Sequence, residues 1–408
     1  MLPFLQLILI ILVIIAVAKA GGYISTRLGQ PAVVGEVLAG LILGPTVLNF
    51  LNWPIFTNEN LSETIVWMGE LGVIMLMFIA GLELHLDDLV KSGKTSLYIG
   101  VFGFLLTIGM GFLLASGFKY EFSEALFIGL AIAPTSIGIS AQTLMELDVL
   151  RSKVGTTLLG AAAIDDTLGV LGLTLFTALF IGSAAIDSTS ILFILLKMVA
   201  YVIVASAFGF WVLPKLAVIT DKLPVSQGLI SFTFVIVLFY AWSAEVLGSM
   251  AAILGAFLAG LFLARSSLKD KIEAGFSAIA YGIFVPVFFI NVGLAANLRQ
   301  ITTQGLLLLA GMIVVVILSK LLGAGIGGRL GGISNRESLQ LGFGMIPRGE
   351  VVLIIAGVGI AEGLIDTNVF SSIVVLVVVT TLITPPILQA AFAKPKSEKE
   401  EFEAESGS

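Results

Sequence analysis

The sequence predicts an all-α polytopic membrane protein of about thirteen transmembrane helices. They form two inverted-topology repeats of six helices, each with one discontinuous helix, and these two cross. Three observations predict this. Hydrophobic residues make up 58% of the 408 and charged residues only 12%, with a mean hydropathy of +1.10, whereas a soluble domain is about a quarter charged. Apolar segments therefore run along the whole chain. Lysines and arginines gather in alternate joints between those segments. Three short strings recur, in the same order, in the second half of the chain.

The elements follow from apolar runs of about 20 residues, the length that crosses a bilayer, separated by short polar or Gly/Pro-containing joints. Helices are expected near 3–26, 31–51, 61–83, 96–116, 122–145 and 153–182, then a connector over 189–214. Six more are expected near 224–244, 250–265, 274–295, 304–329, 335–362 and 367–391. The first run leads directly into further apolar segments with no small-residue cleavage site, so it reads as a retained helix rather than a signal peptide. The 45 glycines suit close helix contacts in lipid. Residues 1–392 thus form the membrane domain, and 393–408, charged and without aliphatic periodicity, are expected to be a disordered tail.

Lys and Arg placement sets the orientation. One side holds Arg27, Lys91, Lys94, Arg151, Lys153, Lys215, Lys222, Arg265, Lys269, Lys271, Arg329 and Arg336, and the tail adds Lys394, Lys396 and Lys399. The other side holds only Lys119 and Arg299. The expectation is an outside N-terminus and a cytoplasmic C-terminus in a bacterial-type plasma membrane. An odd number of helices follows, because one missed span would scramble the alternation.

"GEVLAGLIL" (Gly35–Leu43) recurs as "GAFLAGLFL" (Gly255–Leu263), "FIAGLELHL" (Phe78–Leu86) as "INVGLAANL" (Ile290–Leu298), and "GLAIAP" (Gly129–Pro134) as "GFGMIP" (Gly342–Pro347). The offsets are 220, 212 and 213 residues. Repeats over about 1–182 and 224–391, joined by one connector helix, have opposite orientations, the plan on which secondary transporters build two access states around a midplane site. The third pair ends on Pro134 and Pro347, mid-way along the fifth and twelfth helices. Proline lacks an amide donor and clashes with the preceding turn, so both helices should break there. Thr135 and Ser136 flank one break, and Arg348 and Glu350 the other. Unwound backbone at membrane depth persists only where it is buried in protein or lines a wet cavity. Its free carbonyls and half-helix dipoles then suit an ion.

Asp165 and Asp166, in "GAAAIDDTLGVLG", are the only charges between Val154 and Gly182. A charge at mid-membrane costs roughly 2.5–3.5 kcal/mol on insertion scales, so each needs a partner or water. Neighbouring helical residues point about 100° apart, so the two carboxylates should have different jobs. Lys320, deep in "VVVILSKLLGAG", is a natural counter-ion for one; the other would face the unwound segments. A carboxylate so placed binds a proton or a small cation such as sodium, because both compete for the same oxygens. A helix cap is excluded by the apolar run on either side, whereas a structural pairing of one aspartate with Lys320 belongs to the scheme.

"GQPAVVGEVLAGLILGP", "LGVIMLMFIAGLE", "GAAAIDDTLG", "ILSKLLGA" and "GMIPRGEV", in this order, resemble the monovalent cation–proton antiporters, specifically the bacterial NapA-like sodium–proton antiporters, over residues 20–390. The resemblance implies an NhaA-like fold and a homodimer. It also implies a core around helices 5, 6, 12 and 13 that moves elevator-like against a dimerisation domain interleaved with it in sequence. By motif, Asp166 would bind sodium or a proton. Asp165 would pair with Lys320 and release it when sodium binds, with Thr135 and Ser136 near the ion. Arg348 and Glu350 would compensate the half-helix ends. Two aspartates with a lysine go with electrogenic exchange, two protons for one sodium. No cofactor is implied: the ions are sodium, with lithium as a further candidate, and protons.

Other polar residues draw blander readings. Glu83, His85, Asp87 and Asp88 form a solvated cap after the third helix, Glu36 makes a structural contact, and Asn291 makes an interhelical hydrogen bond. Glu70 and Glu245 are candidates for an outer funnel. With no cysteine there is no disulfide or thiolate metal site, and one histidine excludes a His-Glu-x-x-His protease. Adjacent aspartates on one helix do not form an aspartyl-protease dyad, and an inverted repeat argues against an axial channel. The net charge of −6 owes much to the tail and suggests no nucleic-acid partner. The alternative is a potassium–proton antiporter of the Kef-like kind, which typically carries Gln-Asp in place of Asp-Asp.

Overall fold

A computed structural model describes residues 2–393 except 59, 85, 181–187, 298 and 300. His85 and the expected tail from 394 onward lie outside the described residues. α1 (Pro3–Arg27) is one apolar rod, whereas α2 (Ala32–Leu43) is short. The helix expected over 31–51 ends at Leu43 because Gly44 and Pro45 follow. Proline has no amide to donate to the next turn, and the chain leaves through a 3-10 turn at Phe50–Asn52. α3 (Leu61–Glu83) matches its apolar run, while α4 (Leu86–Gly117) starts well before the expected 96, as an extension with Lys91 and Lys94 exposed.

The helix expected over 122–145 is two half-helices, α5 (Phe122–Ala131) and α6 (Ile137–Glu146), parted around Pro134. After α7 (Lys153–Phe180), the connector is α8 (Ser188–Trp211), which bends by 41° beside Pro214 into α9 (Leu213–Asp221). α10 (Gly228–Val246) and α11 (Ala252–Leu263) follow. The helix expected from 274 begins at Lys269. α12 (Lys269–Ile279) passes through a π-helical turn, Ala280–Phe284, into α13 (Val285–Leu294), where Pro286 lacks the amide a regular helix would use. α14 (Thr303–Leu330) precedes the second broken pair, α15 (Asn335–Gly344) and α16 (Glu350–Ala361), parted around Pro347, and α17 (Thr367–Phe392) closes the chain.

Eight of the described helices are long and apolar enough to cross a membrane, nine if the bent α8–α9 pair counts as one. The expected thirteen full rods are fewer because breaks at Pro134 and Pro347 and the early stop at Gly44 leave short apolar helices, α2, α5 and α16 among them, and α11 is short as well. The molecule is a multi-pass integral membrane protein.

The helices fall into two groups that also touch each other, through α6 and α17 against α2 and α3 among others. α4 lies against α14, α7 and α5, with α15 and α17 on α14; α11 and α13 lie against α3, with α2 on α1 and α13. Glycines let backbones touch at points that repeat along the chain. A methyl group on Gly40 would come within 2.2 Å of the Ile290 carbonyl oxygen, and one on Gly260 within 2.1 Å of that of Phe78. Gly81 meets Phe257 O at 2.2 Å and Gly293 meets Val37 O at 2.3 Å by the same measure. In both cases one contact maps onto the other by the offsets of 220 and 212. The half-helices α5 and α15 also start alike. Glu121 N donates to Glu124 Oε2 at 3.1 Å, and Ser334 N to Glu337 Oε2 at 2.8 Å, positions 213 residues apart. These bonds satisfy amides that a helix start otherwise leaves open.

Candidate ion-binding site

The two breaks lie against each other, and residues on either side of each proline tie them together. Ser136 N donates to Pro347 O at 2.8 Å. Thr135 Oγ1 donates to Met345 O at 3.1 Å, and Arg348 Nε donates to Ile132 O at 2.7 Å. Thr135 and Arg348 each directly follow a proline, and Ile132 and Met345 each lie two residues before one. Each broken helix thus satisfies a freed carbonyl of the other in the same way, although one donor is a hydroxyl and the other a guanidinium. Ser140 Oγ adds a bond to Gly344 O at 2.6 Å.

Arg348 is fully buried and does more than bridge. Its Nη1 donates to Met345 O at 2.9 Å, Ile346 O at 3.0 Å and Pro347 O at 3.3 Å, and reaches Thr135 Oγ1 at 3.4 Å. These carbonyls close α15, and Ile132 closes α5, so one cation faces the negative ends of two helix dipoles. Glu350 begins α16, but its side chain lies outside the described residues. Thr380 and Thr381 on α17, which sequence reasoning missed, hold the Arg348 backbone: Arg348 N donates to Thr380 Oγ1 at 3.1 Å, and Thr381 Oγ1 donates to Arg348 O at 3.4 Å. The signal available was a Thr-Thr pair inside the apolar run Ile373–Ile383 of α17.

On α7 the two aspartates, both 0% exposed, face different neighbours. Lys320 Nζ donates to Asp165 Oδ1 at 2.9 Å and Oδ2 at 2.8 Å, and Lys320 is also 0% exposed. α4 and α14 approach closely enough that a methyl on Gly323 would come within 2.5 Å of Gly103 Cα. The Lys320 stem passes beside Gly103, and Ser319 shares a 2.8 Å hydrogen bond with Thr107 on α4. Asp166 takes another direction. Gly169, one turn on from both aspartates, lies against Pro134, where an added methyl would meet the ring at 2.7 Å. The aspartate-bearing stretch of α7 therefore packs against the first break.

A cavity of about 600 Å³ reaches this region from one side. It runs from the α2–α3 loop, at Asn49 and Asn58, past Glu70 and Asn291, to Gly349. There a methyl would come within 2.5 Å of Ser136 Oγ, a buried oxygen with no hydrogen-bond partner among the described residues. Neither aspartate lines this cavity. At the opposite end Glu36 is buried and lies 3.7 Å from Lys19.

Comparison with known proteins decides the family. The family described as "Sodium/hydrogen exchanger, transmembrane" matches residues 10–394. The chain belongs to the sodium/hydrogen exchanger family. This exchanger is 37% identical over 397 residues to the Na(+)/H(+)-K(+) antiporter GerN of Bacillus cereus, covering 97% of this chain and 98% of that one. It is 34% identical over 385 residues to the Na(+)/H(+) antiporter of Enterococcus hirae, with 94% and 98% covered. Among solved structures it is similar in fold to the sodium proton antiporter MjNhaP1 of Methanocaldococcus jannaschii, with a TM-score of 0.68 at 19% identity over 96% of this chain and 97% of that one. The exchanger is therefore a membrane transporter of this family and not an enzyme.

Proposed function

We propose that this exchanger is a secondary antiporter that swaps sodium, with lithium as a further substrate, for protons by alternating access, and that Asp166 is the carboxylate both ions share. One observation carries the reading. Lys320 neutralises Asp165, while the adjacent Asp166, equally buried, stands on a stretch of α7 that packs against the first of two broken helices with freed carbonyls and hydroxyls. A proton and a hard cation both need anionic or carbonyl oxygen, so each excludes the other. Ser136 Oγ, buried and unpartnered, is a natural further ligand, and Arg348 is the fixed charge that holds the half-helix ends together. The aspartate pair with its lysine supports electrogenic exchange, in which sodium at Asp166 loosens Lys320 from Asp165.

The scaffold reading is a thirteen-span protein of two inverted six-helix repeats. The paired glycine contacts and the matched half-helix starts support it, because each recurs at one of the sequence offsets. α4–α7 with α14–α17 would be the moving core and α1–α3 with α10–α13 the dimerisation domain, in a homodimer. The cavity opens beside the α2–α3 loop, on the side poor in Lys and Arg, which supports an outward-facing state with the N-terminus outside.

The test is reconstitution in liposomes with a pH-sensitive dye and an imposed proton gradient, titrating sodium, lithium and potassium. Sodium-dependent proton movement is expected in the wild type and none in Asp166→Asn; exchange that survives this substitution removes Asp166 from the mechanism. Apparent KM for sodium should rise as pH falls, because protons then occupy the shared oxygens. The potassium arm matters because one 37% identical relative carries K(+) in its name; potassium as the sole driver would install the alternative.

A further inference from the structure

Glu70 is the only charged side chain among the described residues that line the 600 Å³ cavity. It is exposed, yet it lies nine residues past Leu61 on α3, about 14 Å along the axis at 1.5 Å per residue. An exposed carboxylate at that depth is tolerable only in contact with water, and the cavity supplies it. Asn291 on α13 lines the same cavity and lies against Gly69, the residue before Glu70, where an added methyl would come 3.1 Å from Asn291 Nδ2. Glu245, exposed near the end of α10, is within Coulombic range of Glu70 and adds negative charge of the same sign. Low-dielectric walls around one sign of charge concentrate counter-ions.

Resting on the antiport reading above, we infer that Glu70, with Asn291 in the same cavity, is a staging site for a hydrated monovalent cation on its way from the cavity mouth to Ser136 and Asp166. Glu70 holds the ion loosely through water, so it raises the local cation concentration without competing with the deeper site. Its charge governs capture rather than turnover.

The chain has no cysteine, so the local potential can be read directly. Val66 lines the cavity four residues before Glu70, hence on the same helix face. In Val66→Cys, labelling by a cationic methanethiosulfonate reagent should outpace its anionic sulfonate counterpart, relative to free thiol, by about three-fold or more at low ionic strength. Adding Glu70→Gln should collapse that preference, and added choline chloride should shrink the difference. In proteoliposomes, Glu70→Gln should raise KM for sodium by about three-fold at low ionic strength, more than it lowers kcat. A preference that survives Glu70→Gln overturns the inference, as does an unchanged KM alongside a lost preference. A wild type that moves no protons with any alkali cation, but labels charge-selectively, overturns the antiport reading and leaves a cation-concentrating vestibule standing.

Discussion

Two identical side chains next to each other acquire opposite circumstances from the geometry of a helix turn. Asp165 accepts both of its charge-assisted bonds from Lys320, while Asp166, turned by about 100°, points in another direction. A buried ion pair adds little net stability, but removing one partner strands the other and costs about 3–5 kcal/mol. Lys320→Met alone should therefore lower the melting temperature in detergent markedly. Lys320→Met with Asp165→Asn should recover most of the loss, because no uncompensated charge remains. Equal melting of the single variant and the wild type would show that the pair carries no structural weight. At this scale the sequence displayed which charges stood in apolar runs. The carbonyls that Arg348 binds were invisible, since backbone acceptors carry no residue-type signal.

Helix breaks were legible where proline coincided with polar neighbours, as at Pro134–Ser136 and Pro347–Glu350. They were not legible at Gly44–Pro45, where apolar residues continue on both sides and a hydropathy window runs straight through. The π-helical turn at Ala280–Phe284 and the bend at Pro214 escaped for the same reason. Nor could the sequence reveal how α2 starts. Its first residue follows Pro31, without a side-chain cap of its own, and the cap comes from α6 instead: Ala32 N donates to Glu146 Oε2 at 2.6 Å, and Gln142 Nε2 donates to Glu146 Oε1 at 2.8 Å. This cap joins a half-helix of one packed group to a helix of the other, 114 positions away. Replacing a capping group costs about 0.5–2 kcal/mol. Glu146→Ala should lower thermal stability by that order, and Glu146→Gln, which keeps an acceptor, by less. A Glu146→Ala melt identical to wild type would show that α2 needs no cap from α6.

For the whole molecule, fifteen basic residues on one side against two on the other set the expected orientation, and the cavity direction follows from it. A cysteine-free chain makes this simple to check. Ser62→Cys, which lines the cavity, should react with an impermeant maleimide added outside intact cells, and Ser397→Cys in the tail only after permeabilisation. The reverse pattern would turn the cavity toward the cytoplasm and make this an inward-facing state. The same proteins, labelled in sodium-free and sodium-containing buffer, would report whether the cavity closes.

The chain by itself determined the membrane class, the breaks at Pro134 and Pro347, the repeat offsets and the identities of the buried charges. Those properties are one-dimensional: hydropathy, proline and charge are readable wherever they fall. Only tertiary structure decided that Lys320 reaches Asp165 across 155 positions, that each break satisfies the other's carbonyls, and that one cavity runs past Glu70 to Gly349. Such facts depend on which backbones approach, as at Gly40 with Ile290 and Gly103 with Gly323, and close approach is set by packing in three dimensions.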